Sequence, residues 1–300
     1  MKMILESNKK LLERYRFICR SKGLTNKSIE AICNNDLRVY LEWLGGKDAL
    51  QVTHLDIQDF LMYCTVDRKN EAQAVNRKYT NLNMFYKRLI INMDLEIKNP
   101  VEKVDKPKVR KKVKPYLKEE EYNLMISFLE HEGNLRGLAL CSMMFSSACR
   151  LSEISQLDKN SLDHVNRRFI VTGKGQKQRQ CMFSKDASMK VLRYIENRTD
   201  DNKALFITSK GNRLSPKSIQ DYLKRLGLRA GVEQNVHPHL FRHGRAMQLL
   251  KAGASLETIQ RILGHESIAT TQIYAHMNFD SVQSTVDEID NKIADINQAA

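Results

Sequence analysis

PHLFRHGRAMQLLKAGASLETIQRILGHESIATTQIYAH, residues 238–276, decides how this chain is read. His239 and Arg242 stand three residues apart, so both project from one helical face. Ile262 and Leu263 close a later apolar face, and Gly264 has the place of the glycine that stops a helix. A further helix starts near Ser267 and carries Tyr274. The stretch therefore sets His265 just past a helix-ending glycine and a tyrosine nine residues later. Half-buried helices often carry both residue types, so their meaning depends on what else the chain supplies.

The 300 residues suffice for about two domains, and 42% hydrophobic content is enough to build cores. Lys and Arg number 49 against 35 Asp and Glu, a formal charge of +14. An excess of this size suits a polyanion, because binding phosphates releases counterions. An anionic membrane would attract it too, but no apolar run approaches the roughly 20 residues of a span. The charged start MKMILESNKK is no signal peptide. Nucleic acid is the expected partner. The six cysteines (Cys19, Cys33, Cys64, Cys141, Cys149 and Cys181) form no CxxC pair, and several lie on apolar helical faces. That pattern predicts a reduced, cytoplasmic chain with core thiols, without disulfide, metal or other cofactor.

The first hundred residues are read as helical throughout, with helices over roughly 5–21, 27–44, 54–67 and 71–92. Ile29, Ile32, Leu37, Tyr40, Leu41 and Leu44 recur at helical spacing before Gly45-Gly46, and Trp43 is expected to anchor the core. On the fourth helix Arg77, Lys78, Lys87 and Arg88 form a basic set that suits a DNA groove as well as solvent. NPVEKVDKPKVRKKVKPYL (99–117) holds three prolines and alternates basic residues with valine. It is read as an extended basic linker, whose Lys111 and Lys112 would face a duplex. The expected division is a helical domain over 1–98, a linker over 99–116 and a second domain over 117–300. In the second domain RRFIVTGKGQKQRQCMF (167–183) is read as a β-hairpin with Lys174 at its tip. Its GKG lacks Walker A spacing, so nucleotide binding is not indicated.

SSACRLSEISQL (146–157) places Arg150 between two helices. Two arginines can fork onto the oxygens of one phosphate and stabilise charge developing there. A tyrosine is a poor nucleophile at neutral pH unless a base or a positive field helps it ionise. Histidine can supply the base and lysine can protonate a leaving oxygen. His239 and His243, four apart, could pair on a metal, but HExxH is missing and Arg242 would repel a cation.

On these residues the chain resembles the tyrosine recombinase (phage integrase) family, and in size and layout its Xer-like members. ACRLSEISQLDKNSL is similar to the family's first arginine box, and PHLFRHGRAMQLLKAGASLETIQRILGHESIATTQIYAH to its second. GLTNKSIEAICNNDLRVYLEWL and VNRKYTNLNMFYKRLI resemble its core-binding domain. The resemblance implies a mainly α fold. A helical, SAM-like core-binding domain would precede a mixed α/β catalytic domain with a small β-sheet.

The resemblance further implies that Tyr274 attacks a scissile phosphate, giving a 3′-phosphotyrosyl link and a free 5′-hydroxyl. Arg150 and Arg242 would clamp the phosphate, with Lys174 as general acid for the leaving oxygen. His239 would assist proton transfer at the tyrosine, His265 would hydrogen-bond the phosphate and Glu153 would buttress the site. The exchange is nearly isoenergetic and would need neither ATP nor metal. Family members usually carry glycine where this chain has Ala148, and activity is expected to survive this change.

The implied partner is double-stranded DNA with specific core sites, bound by a homotetramer or by a heterotetramer with a related recombinase. The tail residues Val282, Val286, Ile289, Ile293 and Ile296 form a heptad-like stripe that suits docking on a neighbouring protomer. Two alternatives stand beside this reading: a type IB topoisomerase-like relaxing enzyme, and a non-catalytic DNA-binding regulator on the same fold.

Overall fold

Helical periodicity in the first hundred residues is realised almost element for element. The computed structural model describes residues 3–109, 115–173, 177–264 and 268–275. The chain divides into two units, Met1–Lys112 and Val113–Ala300.

In the first unit α1 (Glu6–Ser21), α2 (Asn26–Ile32), α3 (Arg38–Leu44), α4 (His54–Val66) and α5 (Ala72–Met93) follow one another. Thr25 accepts from the Ser28 N–H and starts α2, and a Thr53–Asp56 capping box starts α4. Between α2 and α3 the helix runs on through a π turn, Cys33–Leu37. That turn presents a buried carboxylate, Asp36, toward α5. The centre of the core is aromatic: Tyr15, Tyr40, Phe60, Phe85 and Tyr86 are fully buried. The Tyr40 and Tyr86 hydroxyls lie 2.6 Å apart, and Tyr86 donates to the Ala49 carbonyl. Trp43 does not anchor this centre. It is half-buried at the rim, tilted against Phe60 and Tyr63.

The boundary expected at residues 98 and 99 lies further along. Val101 and Val104 are buried in the first unit's core and joined by a turn, Val104 N–H to Val101 O at 3.1 Å. Tyr79 donates to the Val104 carbonyl and Asn76 to that of Pro107. Val101 and Val104 are three residues apart, so a turn brings both to one side, whereas an extended strand would have split them. Tyr116 and Leu117 already belong to the second unit, where Leu117 N–H donates to Leu240 O at 3.1 Å.

The second unit begins with α6 (Glu119–His131), α7 (Leu135–Ser147) and α8 (Leu151–Gln156). From Gly137 to Ser147 every residue of α7 is buried, as befits a helix apolar on all sides and surrounded by others. β1 (Leu162–Asp163), β2 (Arg168–Thr172) and β3 (Gln178–Met182) form an antiparallel sheet in sequence order. Phe169 pairs with Cys181 and Val171 with Arg179, and this inward row meets the core while Ile170 and Met182 face out. The expected hairpin is therefore present, and its tip residues 174–176 lie outside the described residues. α9 (Lys185–Glu196), α10 (Pro216–Arg229), α11 (Pro238–Lys251), α12 (Leu256–Leu263) and α13 (Gln272–Ala275) complete the unit.

Gly244 lets Leu117 cross α11 at close range: a Cβ there would stand 2.4 Å from the Leu117 carbonyl oxygen and 3.2 Å from the Phe145 ring. Backbone cannot yield as a side-chain tip can. Gly244→Ala is therefore expected to cost about 1–3 kcal/mol, read as a lower melting temperature. An unchanged melting temperature would mean that the crossing is not tight.

Candidate active site

The end of α12 organises the site. A helix leaves its last carbonyls without intrahelical partners, and these carry the negative end of the helix dipole. Here three consecutive carbonyls each accept from a different arginine. Arg179 Nη1 donates to Ile262 O at 3.2 Å, Arg242 Nη2 to Leu263 O at 2.5 Å and Arg150 Nη2 to Gly264 O at 3.0 Å. Gly264 is left-handed, with φ +62°, and a Cβ there would meet the Arg179 side chain at 2.6 Å. Glycine is thus required for the turn and for the arginine packed on it.

Arg242 also donates to the Ala148 carbonyl at 2.7 Å, so one guanidinium closes the ends of both α7 and α12. Ala148 is left-handed as well, at φ +51°. This explains why glycine suits the position. Burial, with Arg150 and Arg179 close by, pushes Arg242 down to about 10.

Glu153 is the counter-charge. It is buried, accepts from Arg150 N–H at 2.7 Å and Nη1 at 3.1 Å, and binds Arg179 Nη2 at 2.7 Å. Burial alone would raise its carboxyl, but the Arg150 N–H and the two guanidiniums outweigh it and hold it below its ordinary value. Three arginines against one carboxylate leave two positive charges in excess, the electrostatics of an anion site. Glu153→Gln is expected to cost about 3–5 kcal/mol at neutral pH, since two cations lose their partner. The folded carboxyl lies below its unfolded value, so this contribution is complete above that value, near 4.5, and disappears as pH falls through the folded one. Melting temperatures of parent and variant should therefore converge only below pH 4.5. A constant gap down to low pH would show that the carboxylate's charge is not responsible.

Tyr274 is buried with Ala148, Ala246, Met247, Ile259 and Leu263. Its hydroxyl lies 2.6 Å from His243 Nδ1. Burial pushes it up to about 12, against the lowering effect of the Arg242 charge. The rings of His239 and His243 are 6.3 Å apart, and those of His243 and Tyr274 5.6 Å. The three rings are thus successive neighbours, and the one against the tyrosine hydroxyl is His243.

The structure thus brings together Arg150, Glu153, Arg242 and Tyr274, with His239 one ring removed. Lys174 and His265 lie outside the described residues, as do Lys111, Lys112 and the tail from 276 onward. Sequence reasoning missed Arg179 and His243. Arg179 had a signal: it shares the inward face of β3 with Cys181, and a cation on a core-facing row needs a buried partner. His243 was weighed only as a metal partner of His239, four residues away, and not as the group beside the tyrosine hydroxyl. Among the described residues no group of three or more His, Cys, Asp or Glu is placed to hold a metal.

In the first unit the basic residues of α5 divide. Lys78 is buried and donates to Asp36 at 2.9 Å and to the Asn35 carbonyl, while Arg77 forks onto both Asp36 oxygens at 3.0 Å. Burial would raise Asp36, but the bonds from Arg77 and Lys78 keep it below its ordinary value. The expectation of Lys78 as a DNA contact is overturned: its charge is spent inside the core. Arg88 donates to the Cys19 sulphur at 3.0 Å and lies over the Tyr15 ring, whereas Lys87 is exposed. Lys78→Met should cost about 1.5–3 kcal/mol of stability and leave the salt slope of DNA binding unchanged. Lys87→Ala should instead lower that slope by about 1. The reverse pattern in salt titrations would reinstate Lys78 at the interface.

Comparison with known proteins decides the identity. Residues 115–281 match the model of the phage integrase family, and residues 11–93 that of the phage integrase N-terminal SAM-like domain. The chain belongs to the phage integrase family.

It is 36% identical over 213 residues to the tyrosine recombinase XerC of Mannheimia succiniciproducens, covering 69% of this chain and 71% of that one. Over 261 residues it is 30% identical to XerC of Oceanobacillus iheyensis, covering 83% and 85%. In fold it is similar to the Tn1549 transposon integrase in complex with transposon right end DNA, with TM-score 0.73, 20% identity and 93% and 98% of the two chains covered. The XerH recombinase bound to palindromic difH substrate superposes with TM-score 0.71 at 17% identity, covering 95% and 99%. The chain is a tyrosine-type site-specific DNA recombinase. Neither topoisomerase-like relaxation nor non-catalytic regulation finds support among these relatives. No helix among the described residues is long and apolar enough to cross a membrane.

Proposed function

We propose that Tyr274 is the nucleophile of this recombinase and that the arginine cluster at the end of α12 holds the scissile phosphate. One observation carries the reading: Arg150, Arg179 and Arg242 converge on three successive carbonyls with Glu153 as counter-charge, next to the Tyr274 element. A phosphodiester brings one negative charge to the two in excess. Charge growing on its oxygens in the transition state is then met by donors already fixed in place.

In this reading Arg150 and Arg242 donate to the non-bridging oxygens, and Arg179 keeps Glu153 and Arg150 in position. The Arg242 charge favours the phenolate, whose proton passes to His243, with His239 behind it. Attack on phosphorus forms the tyrosyl–phosphate bond and expels the 5′-oxygen, which takes a proton from Lys174, while His265 donates to the phosphate. Arg77, Lys87, Arg88, Lys111 and Lys112 contribute the sequence-independent hold on the duplex. The active assembly is a tetramer of this chain, or of this chain with a related recombinase, joined through the tail beyond residue 276. In this reading it works in the cytoplasm, which its DNA partner and its six free cysteines support.

Covalent trapping tests the reading. Nicked suicide duplexes built from DNA flanking the coding gene, mixed with the protein and denatured, are expected to yield a protein–DNA adduct whose peptide carries Tyr274. Tight binding to the same duplex without any adduct would refute the assignment of the nucleophile.

A further inference from the structure

Two thiols lie directly behind the arginine cluster, and the recombination chemistry uses neither. Cys149 immediately precedes Arg150, and Cys181 stands two residues beyond Arg179 on the same inward face of β3. Both are buried, and their sulphurs are 3.4 Å apart, with the Cys149 thiol directed at Cys181. The Arg179 guanidinium reaches both Cys149, at 3.9 Å, and Glu153, at 2.7 Å. Core cysteines that only fill space have no reason to face each other between a strand and the loop of a phosphate-binding arginine.

Two further observations make the pair chemically competent. Cys181, though buried, is among the residues that line a cleft of about 480 Å³, which also touches Arg167, Lys185, Arg245 and Arg261, so only a short path separates the pair from solvent. The hydrogen bond from Cys149, with Arg179 assisting against burial, holds the Cys181 thiol below its ordinary value and favours the thiolate, which is the reactive form.

We propose that Cys149 and Cys181 form a reversible disulfide that moves Arg150 and Arg179 out of position, so that peroxide switches strand cleavage off. This rests on the reading of the arginine cluster as the phosphate site. The Cys181 thiolate attacks a peroxide oxygen, breaking the O–O bond and releasing hydroxide as the sulphur becomes a sulfenic acid. The Cys149 thiol then attacks that sulphur, forming the S–S bond and expelling water, its proton leaving with the hydroxyl. Two thiols lose two electrons, and one peroxide is reduced to two waters. A dithiol reductant reverses the sum. The sulphurs must close to about 2.05 Å, drawing β3 and the Ala148–Arg150 loop together. A misplacement of about 1 Å at a reacting centre costs on the order of 10²-fold in rate.

The full-length protein, titrated with hydrogen peroxide, has its remaining thiols blocked on denaturation and is mapped by peptide mass without reduction. Expected are one intramolecular Cys149–Cys181 link and an adduct yield on the suicide duplex lowered at least about tenfold, recovering with dithiothreitol. Cys181→Ala should keep its yield under peroxide, and Cys149→Ala serves equally should the first variant melt early. Oxidation elsewhere without this link would overturn the proposal. So would the link with undiminished adduct, or variants as sensitive as the parent. If the reduced protein forms no adduct at all, the nucleophile assignment fails, while the peptide map still decides whether the thiols bridge.

Discussion

Replacing the tyrosine hydroxyl alone, Tyr274→Phe, is expected to reduce covalent adduct on a nicked duplex by more than about 10⁴-fold, as for removal of other enzymic nucleophiles. Binding of the same duplex and the fold should be retained. The ring keeps its place among Ala148, Ala246, Met247, Ile259 and Leu263. The 2.6 Å contact with His243 is lost, at a cost of about 1 kcal/mol. Denaturing gels read the adduct, mobility shifts the binding and thermal melting the stability. An adduct of undiminished yield would remove Tyr274 from the chemistry. A collapse of binding and melting together would make it a core residue whose hydroxyl is structural.

The second large effect separates two arginines with the same assigned role. Arg150→Ala and Arg242→Ala should each lower adduct formation by about 10²–10³-fold, the usual loss when one fixed donor to a developing charge is removed. Their effects on stability should differ. The Arg150 side chain is 41% exposed, and water replaces much of what it offers Gly264 and Glu153. Arg242 is buried, and its removal leaves the Ala148 and Leu263 carbonyls without their charged donor. Arg242→Ala should therefore cost a further 2–4 kcal/mol or so, visible as a lower melting temperature. Arg242→Lys should recover little of it, because one ammonium lacks the planar fork that reaches two helix ends. Equal melting temperatures for the two alanine variants would show that Arg242 does not tie α7 to α12.

Much of this was legible in the residues. Helix limits followed from periodicity and caps: the expected 54–67 and 71–92 became His54–Val66 and Ala72–Met93. Both signals are local, carried by side chains within one turn of the backbone they serve. Arg150, Arg242 and Tyr274 were found because each is a reactive residue type near a glycine, a turn or a helix start, within stretches that resemble the family's two arginine boxes.

Side-chain partners across the chain were less legible. Periodicity put Arg77, Lys78, Lys87 and Arg88 on one helix. It could not reveal that the π turn at Cys33–Leu37 would aim Asp36 at two of them. The three prolines of residues 99–117 and the basic residues alternating with valine there suggested an extended linker, yet Val101 and Val104 entered the first core because Tyr79 and Asn76 hold that segment.

What the sequence by itself determined is therefore the set of elements, their ends and the chemical types gathered near them, because short-range sterics and capping decide those. Only the tertiary structure decided which charges are spent inside the fold and which are left for a phosphate. The last carbonyls of α12 find their donors 83 and 114 residues upstream, at Arg179 and Arg150. A buried polar group takes whichever partner packing brings within about 3 Å, and no spacing along the chain encodes that choice.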